Sequence, residues 1–230
     1  TVLGASILWF GWFGFNAGSA LGANALAASA FVVSQAAAAA ATVSWVLMEW
    51  KFNGKPTVLG AVSGCIAGLV AITPAAGFVE PLPAIIIGLI GGGICYFAVA
   101  VLKDKLGYDD SLDAFGIHGI GGTWGSLATG LWATTGVNPA GANGLFYGET
   151  DLFVAQVIST VVAYALAIVG TFILFKIVSA ICDVRADEPE ELAGLDIVEH
   201  GVRGYGRPVV GGNIMGSFED SSEMLAHTVT

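Results

Sequence analysis

The sequence predicts an all-α membrane protein built from six transmembrane helices, and three observations carry that prediction. The 230 residues are 55% hydrophobic and only 11% charged, where soluble domains carry about 25% charged residues. Apolar stretches nearly free of charge recur along the chain. The charges themselves gather in the connections and the tail: the net charge is −10, yet ten of the 18 acidic residues lie from Asp183 onward.

A membrane helix needs about 20 mostly apolar residues to cross about 30 Å of hydrocarbon. Six segments qualify, at roughly 1–22, 24–50, 57–77, 83–102, 112–134 and 152–181. Asn53-Gly54-Lys55-Pro56 reads as a turn followed by a proline suited to a first helical position. Pro74, Pro81 and Pro83 bracket the next connection, and Asp109-Asp110-Ser111 offers caps for the fifth helix. The Gly- and Asn-rich stretch 135–150 is the longest loop. Residues 1–182 form the membrane domain and 183–230 a tail too charged to enter lipid, flexible after about 207.

Charge orients these spans. The basic residues are Lys51, Lys55, Lys103, Lys105, Lys176, Arg185, Arg203 and Arg207, all on or beside the connections after the second and fourth spans or the tail. The positive-inside rule makes that side cytoplasmic. Glycines at four-residue spacing (Gly14, Gly18, Gly22; Gly60, Gly64, Gly68; Gly88, Gly92) read as small-residue stripes for close helix packing. Cys65, Cys95 and Cys182 are isolated, so neither a zinc site nor a disulfide framework is indicated. No phosphate-binding loop, HExxH helix or nucleophile elbow is present, and no cofactor, metal, enzymatic activity or nucleic-acid partner is expected. The chain begins at Thr1 inside an apolar run, without a basic n-region, which reads as part of a longer protein rather than a signal peptide.

His118 stands out as a strongly polar residue about 12 Å along the fifth span. Ionisable residues in a membrane are costly and mark pathways or relays; the alternative is a core histidine satisfied by a neighbouring carbonyl or hydroxyl. A neutral imidazole both donates and accepts a hydrogen bond, which suits a small polar neutral solute. In the first span, Trp9, Phe10, Trp12, Phe13 and Phe15 precede Ser19. They form either an interfacial belt or a site where aromatic faces and a hydroxyl hold a small cation. Glu49 and Asp113 read as interfacial or helix-capping groups.

Three motifs in series resemble the ammonium transporter (Amt/MEP/Rh) family: Gly11-Trp12-Phe13-Gly14-Phe15-Asn16-Ala17-Gly18-Ser19-Ala20, the stretch from Ser63 to Gly77, and Asp113-Ala114-Phe115-Gly116-Ile117-His118-Gly119. Gly194-Leu195-Asp196 and His200-Gly201 in the tail also match, so the resemblance covers about residues 1–206. It implies spans six to eleven of an eleven-span protein: the second of two inverted repeats plus the final helix. It implies a homotrimer with one pore per subunit in the plasma membrane, the carboxy terminus cytoplasmic. Ser19 would help hold ammonium outside, Phe15 would be one of two gate aromatics, Trp12 would line the pore and His118 would be one of two pore histidines. Thr73 would lie near the outer mouth. Ammonium would be deprotonated near the gate and ammonia conducted past the histidines, the partner residues belonging to the other half. Where the family often has an acidic residue after His-Gly, this chain has Val202, which weakens the case for tail-mediated coupling and for docking of a PII-type protein. An ammonium sensor with the same fold is the alternative. A membrane anchor of an enzyme complex would need neither the Trp12–Ser19 run nor His118.

Overall fold

The computed structural model describes residues 1–204; Arg207, His227 and the stretch beyond 207 lie outside them. All regular structure among these residues is helical: α1 (Val2–Gly18), α2 (Ala25–Asn53), α3 (Val58–Ile72), α4 (Pro81–Phe97), α5 (Lys103–Leu106), α6 (Ile120–Trp132), α7 (Asp151–Ser179), α8 (Glu188–Ala193) and α9 (Leu195–Val198). A π turn, Ala98–Leu102, joins α4 to α5, and a second, Phe115–Gly119, leads into α6. Among the described residues, three helices are long and apolar enough to cross a membrane: Ala25–Asn53, the continuous Pro81–Leu106 and Asp151–Ser179. Val2–Gly18 and Val58–Ile72 are apolar but shorter.

Local chemistry explains the helix ends. Asn24 caps α2 by accepting from the Ala27 N–H at 2.9 Å, and Gly54 closes it with φ 78°, a conformation glycine adopts without Cβ strain. α3 starts at Val58 with Thr57 as its cap, so Pro56 precedes the cap instead of occupying the first helical position. α3 ends at Ile72, five residues before the apolar run does, because Pro74 has no N–H with which to continue the i→i−4 ladder. Thr73–Gly77 continues as turns. Pro81 opens α4, where its missing N–H is harmless.

α2 is the axis of the core. Its alanine-rich face (Ala37, Ala38, Ala41) is buried between α3 and α4. A methyl group on Gly68 would meet the Ala37 carbonyl and Ala38, and one on Gly88 or Gly92 would meet the backbone of Ala37 or Ala41. Backbones approach this closely only through small residues, the way apolar helices gain packing when lipid removes the hydrophobic incentive. The first-span glycines behave differently. A methyl group on Gly14 or Gly18 would meet no atom within 4 Å, and one on Gly22 would meet only the Asn24 side chain at 3.6 Å. That stripe is not a packing surface within this chain. Gly60 differs again, since its missing side chain makes room for the carboxylate of Glu49.

The chain divides into two compact units, Thr1–Val169 and Gly170 onward. In the second, Asp187 and Glu190 form a reciprocal capping box at the start of α8, and Arg185 pairs with Glu191 at 2.8 Å. The Asp196 carboxylate accepts from the Gly204 N–H at 2.8 Å and from the Ile197 N–H at 3.0 Å. The Gly201 N–H closes onto the Ile197 carbonyl. The tail motif Gly194-Leu195-Asp196 with His200-Gly201 is thus a tight turn around Asp196, with Gly194 at φ 99° and Gly201 at φ 68°.

Candidate functional site

α1 carries the aromatic run, and its helical period separates the rings. Trp9 and Trp12 pack against the buried cluster that contains Ile66, Val70 and Ile117. Phe13 stacks on Phe31 of α2 with centroids 4.0 Å apart. Phe10 and Phe15 are 79% and 62% exposed. One run of aromatics therefore serves packing on one face and leaves open rings on another.

Trp12 is the junction. Its indole N–H donates to the Thr73 hydroxyl at 2.8 Å, and that hydroxyl donates to the Leu69 carbonyl at 2.7 Å. The Trp12 ring lies 5.4 Å from Phe15 and 6.3 Å from His118, measured between centroids. Phe15, Trp12 and His118 form a continuous row of rings contributed by α1 and the π turn before α6. Beside the row, a cavity of about 240 Å³ is lined by Phe15, Asn16, Ser19, Thr73 and Asn138, among others. The Ser19 hydroxyl donates back to the Phe15 carbonyl at 2.7 Å, leaving its oxygen lone pairs as acceptors.

His118 lies on the other side of Trp12, exposed and on the wall of a groove of about 430 Å³ between α6 and α7. Its imidazole makes no hydrogen bond to the described residues. Hydroxyls from Thr123, Ser126, Ser159, Thr160 and Tyr164 line the same groove. The chain leading to His118 is held in place by two carboxylates. Asp110 accepts from the N–H groups of Ala114 and Phe115 at 2.9 and 2.8 Å, and Asp113 pairs with Lys103 at 2.7 Å while holding the left-handed φ of 55°. Glu49 acts likewise on α3. It accepts from the Thr57 N–H and hydroxyl, both at 2.8 Å, so a buried carboxylate seats on a helix amino terminus, where the helix dipole favours negative charge. Asp110, Asp113 and Glu49 are capping and pairing groups, in keeping with their positions in the sequence.

Five residues singled out from the sequence, Trp12, Phe15, Ser19, Thr73 and His118, thus fall into two linked places: the small cavity and the groove, with Trp12 between them. Two features are not evident from the sequence. Asn16 is buried and its amide donates to the Ser34 hydroxyl at 2.8 Å; an amide within an apolar span is the available signal. The second is a polar seam between α6 and α7. Ser126 donates to Gln156 at 2.7 Å, Thr160 to Ser126 at 3.0 Å, and Tyr164 to the Gly119 carbonyl at 3.2 Å.

The sequence matches the model of the Ammonium Transporter Family over residues 1–205. The chain belongs to the ammonium transporter family. It is 57% identical over 205 residues to an ammonium transporter of Bacillus subtilis (strain 168), covering 89% of this chain and 51% of that protein. It is 50% identical over 201 residues to ammonium transporter Amt1 of Archaeoglobus fulgidus, covering 87% and 50%. The fold matches the crystal structure of Saccharomyces cerevisiae Mep2 with a TM-score of 0.75 and 39% identity, covering 78% of this chain and 42% of that one. A structure described as a sensor Amt protein matches with a TM-score of 0.76 and 29% identity, covering 86% and 48%. The chain therefore spans about half the length of the relatives it matches. Members of this family are multi-pass membrane transporters, not enzymes.

Proposed function

We propose that this chain supplies one wall of a pathway that moves ammonium and ammonia across the plasma membrane. The observation that carries the reading is the row Phe15–Trp12–His118, with centroid steps of 5.4 and 6.3 Å, running from a cavity with a hydroxyl and an aromatic face to an exposed imidazole. At the cavity, the exposed Phe15 ring and the acceptor oxygen of Ser19 suit a small cation. Beyond Trp12 the row runs into the depth of the membrane span, where no charged side chain among the described residues lines the groove of His118; an unpaired cation is costly there, whereas neutral ammonia is not. Loss of a proton between the two places reconciles them, and it also discriminates against potassium, which has no proton to lose. His118 then offers a donor or an acceptor to the neutral solute.

His118 is open on one side, and the other half of the relatives' length supplies the facing wall. On this reading the whole protein is a homotrimer with its tail in the cytoplasm, on the side where the basic residues collect. Val202 stands where tail coupling to a neighbouring subunit or a PII-type protein would use an acidic group.

The test compares this chain alone with this chain plus the amino-terminal half of the Bacillus subtilis relative in proteoliposomes, recording ammonium-evoked current and internal pH. Transport only on complementation, abolished by His118→Ala, is expected. Transport by the chain alone would overturn the half-pathway reading. Silence in both preparations, with ammonium binding retained, would favour a sensor, the role by which one structural relative is described.

A further inference from the structure

His118 sits on a π turn, Phe115–Gly119, and such turns widen the helix and leave carbonyls without their usual i→i+4 partners. The carbonyls on either side of His118 are both reached by side chains. Cys95 of α4 points its thiol at the Ile117 carbonyl at 3.8 Å. The Gly119 carbonyl receives the Thr123 hydroxyl at 2.7 Å and the Tyr164 hydroxyl at 3.2 Å. Thr123 and Tyr164 also touch each other at 2.7 Å. Two hydroxyl protons cannot make all three bonds at once: either both donate to the Gly119 carbonyl or one hydroxyl donates to the other, which donates to that carbonyl. In each arrangement the pair acts as one unit on a single carbonyl.

The two hydroxyls differ in reach. Thr123 bonds back within its own helix, a local arrangement that serine and threonine adopt readily. Tyr164 is the group that brings a second helix, α7, to the turn bearing His118. It lies 41 positions from Thr123 and 45 from Gly119 in sequence, half-buried on the wall of the groove that His118 also lines. A π turn can relax to a regular α turn by a one-residue change of register, which would rotate the imidazole about the helix axis. The Tyr164 hydroxyl ties down the carbonyl next to that imidazole.

We infer that Tyr164 is a positioning residue for His118, acting through the Gly119 carbonyl, so that the last long helix sets the orientation of the imidazole. The inference deepens the transport reading, but its primary readout does not depend on flux. Histidine-selective ¹⁵N labelling of the full chain in lipid nanodiscs gives few resonances, because the sequence holds only His118, His200 and His227. Tyr164→Phe, which keeps the ring and removes the hydroxyl, is expected to shift and broaden the His118 resonances and leave those of His200 and His227 in place. Gln156→Leu is the control: it breaks the Ser126 contact on the same helix seam without touching the turn, and is expected to leave His118 unchanged. In a preparation that transports, Tyr164→Phe should lower the maximal ammonium flux about fivefold, as loss of one hydrogen bond allows, with KM unchanged. Unchanged His118 resonances in a folded Tyr164→Phe protein would overturn the inference, as would an equal shift in Gln156→Leu, which would make α7 a general support. If Tyr164→Phe fails to assemble, Thr123→Val removes the companion hydroxyl and is judged by the same resonances. A His118 shift without flux in any preparation would leave the positioning role standing and remove the transport reading.

Discussion

The indole N–H of Trp12 reaches the hydroxyl of Thr73 at 2.8 Å, and this one bond ties the middle of α1 to the turn where Pro74 ends α3. The bond is asymmetric in what each partner loses. Trp12→Phe removes the donor, while Thr73 keeps its own bond to the Leu69 carbonyl, so the cost should be about 1 kcal/mol. Thr73→Val leaves an indole N–H without a partner in a half-buried place and should cost more, about 1–3 kcal/mol. Thr73→Ser should restore most of the loss. Denaturant unfolding of the three variants in detergent measures the order; equal losses for Trp12→Phe and Thr73→Val would contradict the assigned bond.

Glycine substitutions should separate two kinds of site. Gly88→Ala pushes a methyl into the backbone of Ala37, and overpacking of this kind costs about 1–3 kcal/mol. Gly14→Ala meets nothing within 4 Å and should be neutral or gain up to about 1 kcal/mol from helix propensity. Thermal melts of the chain by itself compare them directly. A Gly14→Ala protein as unstable as Gly88→Ala would show that α1 packs against a surface other than the one described.

The entrance to the π turn makes a third test. Asp113 combines an ion pair to Lys103 at 2.7 Å with φ 55°. Asp113→Asn keeps a residue that tolerates left-handed backbone and loses only the charge, worth about 0.2–1 kcal/mol for a partly exposed pair. Asp113→Val adds about 1–2 kcal/mol of backbone strain. Hydrogen exchange at the amides of Ala114 to Ile117 should therefore quicken slightly in the first variant and strongly in the second.

The tail should respond to acid in a defined direction. The Gly204 N–H beside Asp196 holds its carboxyl below the usual carboxylate range, helped by the Ile197 N–H and by the charge of Arg203. The Arg185 side chain does the same for Glu191. A carboxyl with a depressed folded pKa stabilises the fold at pH values above its unfolded pKa, about 3.9 for Asp, and that contribution fades as pH falls through the depressed value. Limited proteolysis of the 183–204 segment should stay slow at neutral and mildly acidic pH and quicken only in strong acid. Asp196→Asn should be cleaved faster already at neutral pH, and a variant cleaved at the wild-type rate would remove Asp196 as the centre of that turn.

Much of this molecule is legible in its residues alone. The apolar segments are helical, Asp110 accepts from the backbone leading into the fifth span, and Glu49 seats on a helix start, whereas Asp113 pairs with Lys103. Where expectation and structure part, the reason is physical. Pro56 has the chemistry of a first helical position, but Thr57 outcompetes it: a threonine side chain can accept from the Gly60 N–H, and proline offers no such group. The first glycine stripe has the spacing of a packing surface, yet spacing alone cannot say whether a neighbour is present. Asn16 is inconspicuous because it lies within a run dominated by aromatics, and its partner Ser34 is 18 residues away.

The sequence by itself determined the lipid-compatible helical class and the residue types able to handle a small polar solute, because these follow from local composition, backbone chemistry and charge. Only the tertiary structure decided which of those residues meet. Trp12 finds Thr73 at a separation of 61 residues, and Tyr164 finds the turn of His118 across 45. Contacts of that range depend on how α2 draws α3 and α4 together through glycine and alanine faces, and on the register shift of a π turn. Both are set by packing between helices, which no single helix encodes.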